Sequence, residues 1–329
     1  MPLLFPELED EFARAARLLG DAHSIAVIAH VKPDADAVGS ACGLAAGLCK
    51  AGHDARVFIG QSFPHPGNLE TIPGIGGISY TDTLPEADLV VTVDCASVDR
   101  TGAFRPYLER NRDNLLVIDH HETNPGFGAT NLVVVAESTT TLVRELFTHM
   151  GIELDHEIAH CLYAGLVTDT GNFRWGTPRM HLLAAELIGY GLDTREIVMQ
   201  LMDSLTAEDL RLLGGVLAAM ERREAAGRDV CVLTIPSADL EQMSQTAVEA
   251  VIDYARTLRG SDVGVVFKEQ RPERWSVSLR SSVLDVSLVA QRLGGGGHVP
   301  AAGLSLAGPR AEALAAILDS IVAEIHSQA

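Results

Sequence analysis

Short apolar runs alternate with amphipathic stretches along the first half of the chain. The runs are rich in Val, Ile and Leu and have the length of buried strands, whereas the stretches carry apolar side chains every three or four residues, as helices do. The predicted strands are 24–30, 54–60, 87–94 and 114–120, and the predicted helices are 11–20, 36–52, 138–150 and 155–168. This alternation predicts an α/β fold with a mainly parallel sheet covered by helices on both faces.

A second alternating pattern begins near Arg228. The predicted strands are 229–235, 263–268 and 275–280, and the predicted helices are 246–258, 285–293 and a last helix from Pro309. Between the two patterns, residues 192–225 have the spacing of consecutive helices with few turn residues. The sequence therefore predicts a larger domain over 1–190, a helical linker over 191–227 and a smaller α/β domain over 228–329.

The net charge limits the partners that this chain can bind. The 329 residues carry 44 acidic and 25 basic side chains, which gives a formal net charge of −19. Long duplex DNA favours proteins with a basic surface, so this class of partner is excluded. A small anionic substrate is compatible with the charge, because metal ions and a few local Arg or His side chains can reverse its sign inside a cleft.

The cysteines and the N-terminus indicate the compartment. The five cysteines form no CxxC pair, and their odd number is typical of reduced thiols. Four of them lie in apolar stretches and are predicted to be buried and unreactive. The N-terminus lacks a basic region followed by an apolar core, and no apolar run is long enough to span a bilayer. These features predict a cytoplasmic protein without a membrane partner.

Potential metal ligands form short clusters at the ends of apolar runs. They are His30, Asp34 and Asp36; Asp94; Asp119, His120 and His121; and Asp169. Because parallel strands end at one edge of a sheet, where ligands usually bind, we expect these side chains to converge. Carboxylates with a minority of imidazoles suit manganese or magnesium, and zinc is less favoured without thiolates. A carboxylate-rich site of this size can hold two cations, which indicates hydrolysis of a phosphate ester.

Each cluster also has a structural alternative. Asp34 or Asp36 could simply cap the helix ahead, and Asp169 could be a turn residue. A lone histidine at a strand end is more often a buried core residue than a ligand, but Asp119 followed by two imidazoles favours a site. One imidazole of that pair can bind metal while the other donates a hydrogen bond or a proton.

The second domain contains a glycine run that could bind phosphate. Gly294–Gly297 precede His298, and Arg280 ends a predicted strand. Consecutive glycines allow backbone N–H groups to approach a phosphate, and His and Arg side chains add charge-assisted hydrogen bonds. The alternative is a flexible loop, and this region alone does not decide between the two.

The order of these clusters resembles the four motifs of the DHH phosphoesterase family. The motifs are His30-x3-Asp34-x-Asp36, Asp94, Asp119-His120-His121 and Asp169. The tail from Gly294 through His298 to Gly303 is similar to the signature of the family's DHHA1 substrate domain. The resemblance spans nearly the whole chain, and the two-domain length resembles the NrnA-type branch rather than the larger RecJ exonucleases.

This resemblance implies two Mn²⁺ ions, for which Mg²⁺ could substitute, and a homodimer. One ion would be held by His30, Asp34 and Asp94, and the other by Asp36, Asp94, His120 and Asp169, with Asp94 bridging. Asp119 would orient the metal ligands or be a weak ligand itself, and His121 would lie near the scissile phosphate as a catalytic residue together with Asp94. The distal nucleotide or phosphate would be bound by Arg280, Gly296, Gly297 and His298, and the active site would lie in the cleft between the domains.

The resemblance also implies the substrates. The expected activity is hydrolysis of di- to pentanucleotides to 5′-mononucleotides together with removal of the 3′-phosphate of pAp. A phosphodiesterase acting on cyclic di-AMP or pApA is the alternative that uses the same catalytic residues. An inorganic pyrophosphatase is disfavoured by the glycine–histidine tail, and a non-catalytic nucleotide-sensing module is disfavoured by the complete ligand set.

Overall fold

The computed structural model describes residues 3–327 and divides into two compact units, one that runs to Asp203 and one that begins at Ser204. The division falls inside the segment predicted as a linker. The elements of the first unit are α1 (Glu9–Asp21), β1 (Ser24–Ala29), α2 (Ala35–Lys50), β2 (Asp54–Ile59), β3 (Ser79–Tyr80), β4 (Leu89–Val93), α3 (Arg105–Arg110), β5 (Leu115–Asp119), β6 (Thr130–Val133), α4 (Thr139–Met150), α5 (His156–Asp169), α6 (Pro178–Ile188) and α7 (Thr194–Met202).

The sheet of the first unit is wholly parallel, with the strand order β3-β2-β1-β4-β5-β6. Alternate side chains of β1 enter two different cores: Ile25 and Val27 pack in one, and Ala26 and Ile28 pack in the other. Burial on both faces explains why the strand is a continuous apolar run. The predicted α/β fold with a mainly parallel sheet flanked by helices is confirmed for this unit.

Two strands of this sheet were not predicted. Strand β3 has only two residues, and in β6 only Leu132 is buried. Both lie at the ends of the strand order, where one side has no neighbouring strand. Edge strands are often short and polar, so they carry little of the apolar pattern by which buried strands are recognised.

The second unit contains a mixed sheet with the order β11-β12-β10-β9-β8-β7. Its elements are α8 (Ala207–Ala218), β7 (Glu221–Ala225), β8 (Arg228–Ile235), α9 (Ser237–Leu240), α10 (Gln245–Thr257), β9 (Val263–Arg271), β10 (Arg274–Ser281), α11 (Val286–Gln291), β11 (Gly296–His298), β12 (Ala301–Ala307) and α12 (Arg310–Ser327). Strands β8 and β9 are parallel, and the other neighbouring pairs are antiparallel.

One predicted helical segment is partly wrong. The helical prediction over 192–225 holds for α7 and α8, but Glu221–Ala225 form the edge strand β7, paired antiparallel with β8. Its sequence Glu-Arg-Arg-Glu-Ala favours a helix locally. Ladder hydrogen bonds to β8 and burial of Ala225 override this preference, and the charged side chains suit an exposed sheet edge.

The structure describes the burial of the cysteines and the character of the helices. Cys42, Cys95, Cys161 and Cys231 are buried, as predicted, and Cys49 is exposed. Burial raises the pKa of the Cys42 thiol to about 12, so this thiol is unreactive. Within residues 3–327, no helix combines the length and the apolar character that a bilayer crossing requires.

Helices α2 and α5 lie in direct backbone contact. A Cβ atom at Gly39 would lie 2.3 Å from the carbonyl oxygen of Cys161, and one at Gly165 would lie 2.4 Å from Oδ1 of Asp36. Distances below 3 Å leave no room for a side chain, so glycine is required at both positions. This contact holds the first turn of α2 against α5 about one helical turn before Asp169.

We expect Gly39→Ala to lower the free energy of unfolding by about 1–3 kcal/mol, because a methyl group there would overlap a backbone carbonyl that cannot rotate away. Gly20→Ala is the matched control, since Gly20 in α1 has no atom within 4 Å of its virtual Cβ. That control should stabilise the protein by up to about 1 kcal/mol through helix propensity. Urea unfolding followed by circular dichroism measures both, and equal stabilities of the two variants would contradict the packing.

Candidate metal centre

The carboxyl ends of three neighbouring strands bring the first clusters together. His30 follows β1, Asp94 follows β4 and Asp119 ends β5, and these strands are adjacent in the order β1-β4-β5. Asp94 has a positive φ of 57° and donates its backbone N–H to the carbonyl of Ile118. A left-handed conformation is uncommon for a residue other than glycine and often marks a functional site.

Asp94 lies between two imidazoles. Its Oδ2 is 3.5 Å from Nε2 of His30, and its Oδ1 is 3.4 Å from Nε2 of His120. The carboxylate is only 2% exposed. Asp94 is shared by three groups of side-chain ligand atoms, each within 4.8 Å: one with His30 and Asp34, one with Asp36 and His120, and one with Asp119 and His121.

Asp34 both caps a helix and faces the cluster. Its Oδ1 accepts the backbone N–H of Ala37 at 3.0 Å, which makes it the N-cap of α2, while its Oδ2 lies 3.5 Å from Nε2 of His30. The two interpretations of Asp34 that the sequence left open, a helix cap and a metal ligand, are thus compatible. The Asp34 side chain is 60% exposed, so it lies at the open side of the centre.

Asp36 is held by the N-terminus of α4. Its Oδ2 accepts the backbone N–H of Thr139 at 2.6 Å, and its Oδ1 accepts that of Thr140 at 3.0 Å. Ser138 caps the same helix, and the positive end of a helix favours a carboxylate. Oδ2 of Asp36 also lies 3.8 Å from Nε2 of His120, so this helix end orients Asp36 toward the cluster.

His120 presents one nitrogen to the carboxylates and the other to the backbone. Its Nε2 is 3.2 Å from Oδ2 of Asp169, and its Nδ1 is 3.2 Å from the carbonyl oxygen of Ala136. A carbonyl can only accept a hydrogen bond, so Nδ1 carries the proton and Nε2 is available as a ligand atom. At His30, Nδ1 contacts both the Val31 carbonyl at 2.9 Å and Arg100 Nη2 at 3.0 Å.

The clustered charges shift one another's pKa values. Burial works to lower the pKa of His30, but Asp34 and Asp94 outweigh it and raise this pKa to about 9. Burial and the neighbouring charge of Asp94 raise the pKa of Asp36 to about 7. Burial alone would raise the pKa of Asp94, yet its contacts with His120 and His30 hold that pKa well below the usual range.

The donor set fits divalent cations. Burial, and next the charge of Asp36, raise the pKa of Asp169 well above its usual range. The raised pKa values of Asp36 and Asp169 indicate that the negative charge of this cluster is incompletely compensated by the protein. A divalent cation would supply the missing positive charge. Oxygen donors with a minority of imidazole nitrogens suit Mn²⁺ or Mg²⁺.

His121 belongs to a hydrogen-bonded chain that borders the cluster, and its Nδ1 is 3.7 Å from Oδ1 of Asp94. Its Nδ1 donates to Oδ1 of Asp119 at 2.8 Å, and Oδ2 of Asp119 accepts from Nδ2 of Asn124 at 2.6 Å. Asn124 also donates to the carbonyl of Cys95 at 3.0 Å. Asp119 is fully buried, whereas the His121 side chain is 22% exposed. The hydrogen bond to Asp119 thus fixes the orientation of the His121 ring.

The sequence did not predict several residues that support the centre. Asn124 orients Asp119, Arg100 contacts His30, and Thr139 donates its hydroxyl to Oδ1 of Asp94 at 3.0 Å. The sequence predicted a helix over 138–150 but gave no reason to place its N-terminal end against Asp36. Arg100 and Thr139 contact residues that are distant in sequence, and Asn124 contacts Asp119 across an irregular turn of five residues, so no local pattern indicates these contacts.

In the second unit, Arg280 and His298 lie in one row across three strands. Arg280 of β10 and His298 of β11 both pair with Ala301 of β12, one from each side. Residues paired directly across strands point to the same face, and two strand spacings put their Cα atoms about 10 Å apart. The structure therefore brings together the basic residues that the sequence proposed for phosphate binding.

The second half of the glycine run is a strand rather than a flexible loop, and Gly294 lies in the turn before it. Gly296 and Gly297 lie in β11, and Gly297 has a φ of 143° that favours glycine. A Cβ atom at Gly295 would lie 2.2 Å from the carbonyl of Gly303. Close approach to β12 thus accounts for these glycines without an anion, and phosphate binding by their N–H groups stays a prediction.

Comparisons with known proteins match both units. A model described as the DHH family, N-terminal domain, matches residues 24–166, and a DHHA1 domain model matches residues 228–327. The chain is 34% identical over 289 residues to the bifunctional oligoribonuclease and PAP phosphatase NrnA of Thermus thermophilus, covering 86% of this chain and 84% of that protein. The protein of the same name from Bacillus subtilis is 28% identical over 286 residues, covering 84% and 87%.

A solved structure has the same fold. The crystal structure of an exopolyphosphatase-related protein from Bacteroides fragilis superposes with a TM-score of 0.81 and covers 95% of each chain. Its sequence identity to this chain is 23%, so the likeness concerns the fold alone.

Proposed function

The chain belongs to the family of DHH proteins with a C-terminal DHHA1 domain, and we propose that it hydrolyses short oligonucleotides to 5′-mononucleotides and removes the 3′-phosphate of pAp. The observation that carries this proposal is Asp94, whose two oxygens face two different imidazoles. A carboxylate shared in this way is suited to two adjacent cations, and paired cations are typical of enzymes that cleave phosphate esters. The two NrnA relatives, described as bifunctional oligoribonucleases and PAP phosphatases, support the choice of substrates.

The ligand set would hold two Mn²⁺ ions, for which Mg²⁺ could substitute. His30, Asp34 and Asp94 would bind one ion, and the other would be bound by Asp36, Asp94, His120 and Asp169. When bound, the ions supply the positive charge that activates a water nucleophile and offsets charge developing on the phosphate. The backbone contacts of Asp36 and His120 orient these two ligands before any ion arrives.

His121 would act as a proton donor or hydrogen-bond donor in the reaction. The Asp119 carboxylate holds the proton on Nδ1, so Nε2 of His121 is the atom that could donate a proton to the departing oxygen or hydrogen-bond to the phosphate. Removing the His121 ring should therefore lower kcat without removing a metal ligand. In the second unit, Arg280 and His298 would bind a phosphate or base remote from the scissile bond, with Gly296 and Gly297 beside them.

We expect Asp94→Asn to abolish hydrolysis of pAp and pApA, with kcat/KM falling at least about 100-fold, because both ions lose one shared anionic ligand. Asp99→Asn is the matched control, an exposed aspartate five residues later that pairs with Arg105. Elemental analysis should find less bound Mn²⁺ in Asp94→Asn than in either the control or the wild type. Activity above about a tenth of wild type would rule out the bridging role.

His121→Ala should lower kcat about 100-fold or more while leaving the Mn²⁺ content close to wild type, since its Nδ1 is engaged by Asp119. His120→Ala should instead lose bound metal, because its Nε2 faces Asp94 and Asp169. Metal content and turnover measured on both variants separate the two roles. A metal loss in His121→Ala but not in His120→Ala would exchange the assignments.

The substrate class is tested by adding Mn²⁺ to chelator-treated protein and assaying pAp, pApA, cyclic di-AMP, a trinucleotide and a 24-mer. We expect the di- and trinucleotides and pAp to be hydrolysed much faster than the 24-mer, because a net charge of −19 offers no basic track for a long strand. Faster cleavage of cyclic di-AMP than of all linear substrates would favour a second-messenger phosphodiesterase. Binding of these compounds without turnover would indicate a nucleotide-sensing module instead.

A further inference from the structure

A cavity of about 810 Å³ lies beside the metal centre, and the metal ligands do not line it. Its walls come from the loops that follow β1, β2 and β3, together with Ala103. Binding sites for small molecules commonly have volumes of about 300–1,000 Å³, so a nucleotide would fit. Val31 and Lys32 line the cavity and directly follow His30, which places its occupant next to anything bound at the centre.

Gln61 fixes the two loops that form one side of the cavity. Its side chain is buried, with Oε1 accepting the backbone N–H of Lys32 at 2.6 Å and Nε2 donating to the carbonyl of Phe63 at 2.8 Å. Lys32 has a positive φ of 54°, a conformation that needs such support. The loop after β1 and the loop after β2 are therefore tied to each other before any ligand binds.

A close chain crossing forms another wall. Val31 donates its N–H to the Arg100 carbonyl at 2.8 Å, and Ala103 donates to the Gly60 carbonyl at 2.9 Å. A Cβ atom at Gly60 would lie 2.3 Å from the carbonyl oxygen of Thr101, so the two segments touch through their backbones. The cavity is thus preformed, which reduces the entropic cost of binding.

The side chains around the cavity suit a nucleotide. Phe63 is 49% exposed at its edge, and an exposed aromatic ring can stack on any nucleobase. Ser62 and Thr81 add hydroxyl groups, Lys32 adds a cation, and Asp82 adds one carboxylate. Lys32 is one of three lysines in the sequence. A lysine beside the metal centre of this acidic protein is suited to a phosphate.

We propose that this cavity binds the nucleoside on the 3′ side of the scissile phosphate, with Phe63 stacking on its base and Lys32 beside the phosphate. The inference rests on the proposed function. Arg280 and His298 are proposed to bind a phosphate or base remote from the scissile bond, and pAp and pApA both contain that part of the substrate. The nucleoside on the 3′ side of the scissile phosphate is present in pApA and absent from pAp. We assign this nucleoside to the cavity next to His30.

The kinetic test compares pApA with pAp in the Mn²⁺-loaded full chain. Phe63→Leu should lower the ratio of kcat/KM for pApA to kcat/KM for pAp about tenfold. Phe63→Tyr should keep the wild-type ratio, because stacking needs an aromatic ring. Thr81→Trp, which would fill the cavity, should also lower the ratio. Leu182→Ala, at a 67% exposed position on α6, is the control and should leave it unchanged. An unchanged ratio in both Phe63→Leu and Thr81→Trp would overturn the proposal.

A binding test keeps this inference separate from hydrolysis. In Phe63→Trp protein treated with chelator, pApA should quench tryptophan emission at a concentration at least about tenfold lower than pAp does. Equal quenching by the two compounds, or none, would overturn the cavity assignment even if the enzyme is active. If the wild type hydrolyses neither compound while pApA alone quenches, the proposed function fails and the cavity assignment stands.

Discussion

Negative charge buried without an equal number of positive charges is the constraint on which the first unit depends. Asp36 and Asp94 are almost completely buried, and Asp34 and Asp169 lie close by. Burial of a carboxylate is costly unless hydrogen bonds or opposite charges compensate it. Here the compensation comes from two imidazoles and from the N-terminus of α4, and it is incomplete, as the raised pKa values of Asp36 and Asp169 indicate. The deficit is what makes the centre attractive to cations.

The sheet and the helix packing both serve this arrangement. Parallel strands carry His30, Asp94 and Asp119 to one edge, where strand register sets their spacing. The glycine contacts between α2 and α5 then bring Asp36 of one helix close to the end of the other, where Asp169 lies. A looser contact between these helices would separate Asp36 from Asp169, two side chains proposed to bind the same ion, so core packing and site geometry are not independent here.

The sequence predicted those parts of the structure that depend on local pattern. The buried strands β1, β4 and β5 were recognised because burial on both faces leaves an uninterrupted apolar run, and the clusters at their ends followed from the geometry of parallel sheets. Strand β7 was missed because its charged residues favour a helix, and only pairing with β8 makes it a strand. Asn124 and the helix end at Thr139 were missed for a different reason. Thr139 contacts Asp36, which is distant in sequence, and Asn124 contacts Asp119 across an irregular turn, so no spacing rule indicates either contact.

The contact of His120 with Ala136 has an evolutionary consequence. The group that orients this imidazole is a main-chain carbonyl, which is present whatever amino acid occupies position 136. Point substitutions there can accumulate without changing the chemistry at Nε2, whereas a one-residue insertion or deletion between β6 and α4 would move the carbonyl away. Homologues should therefore vary freely in residue type along this connection while keeping its length, and loop length would identify active members where residue identity cannot.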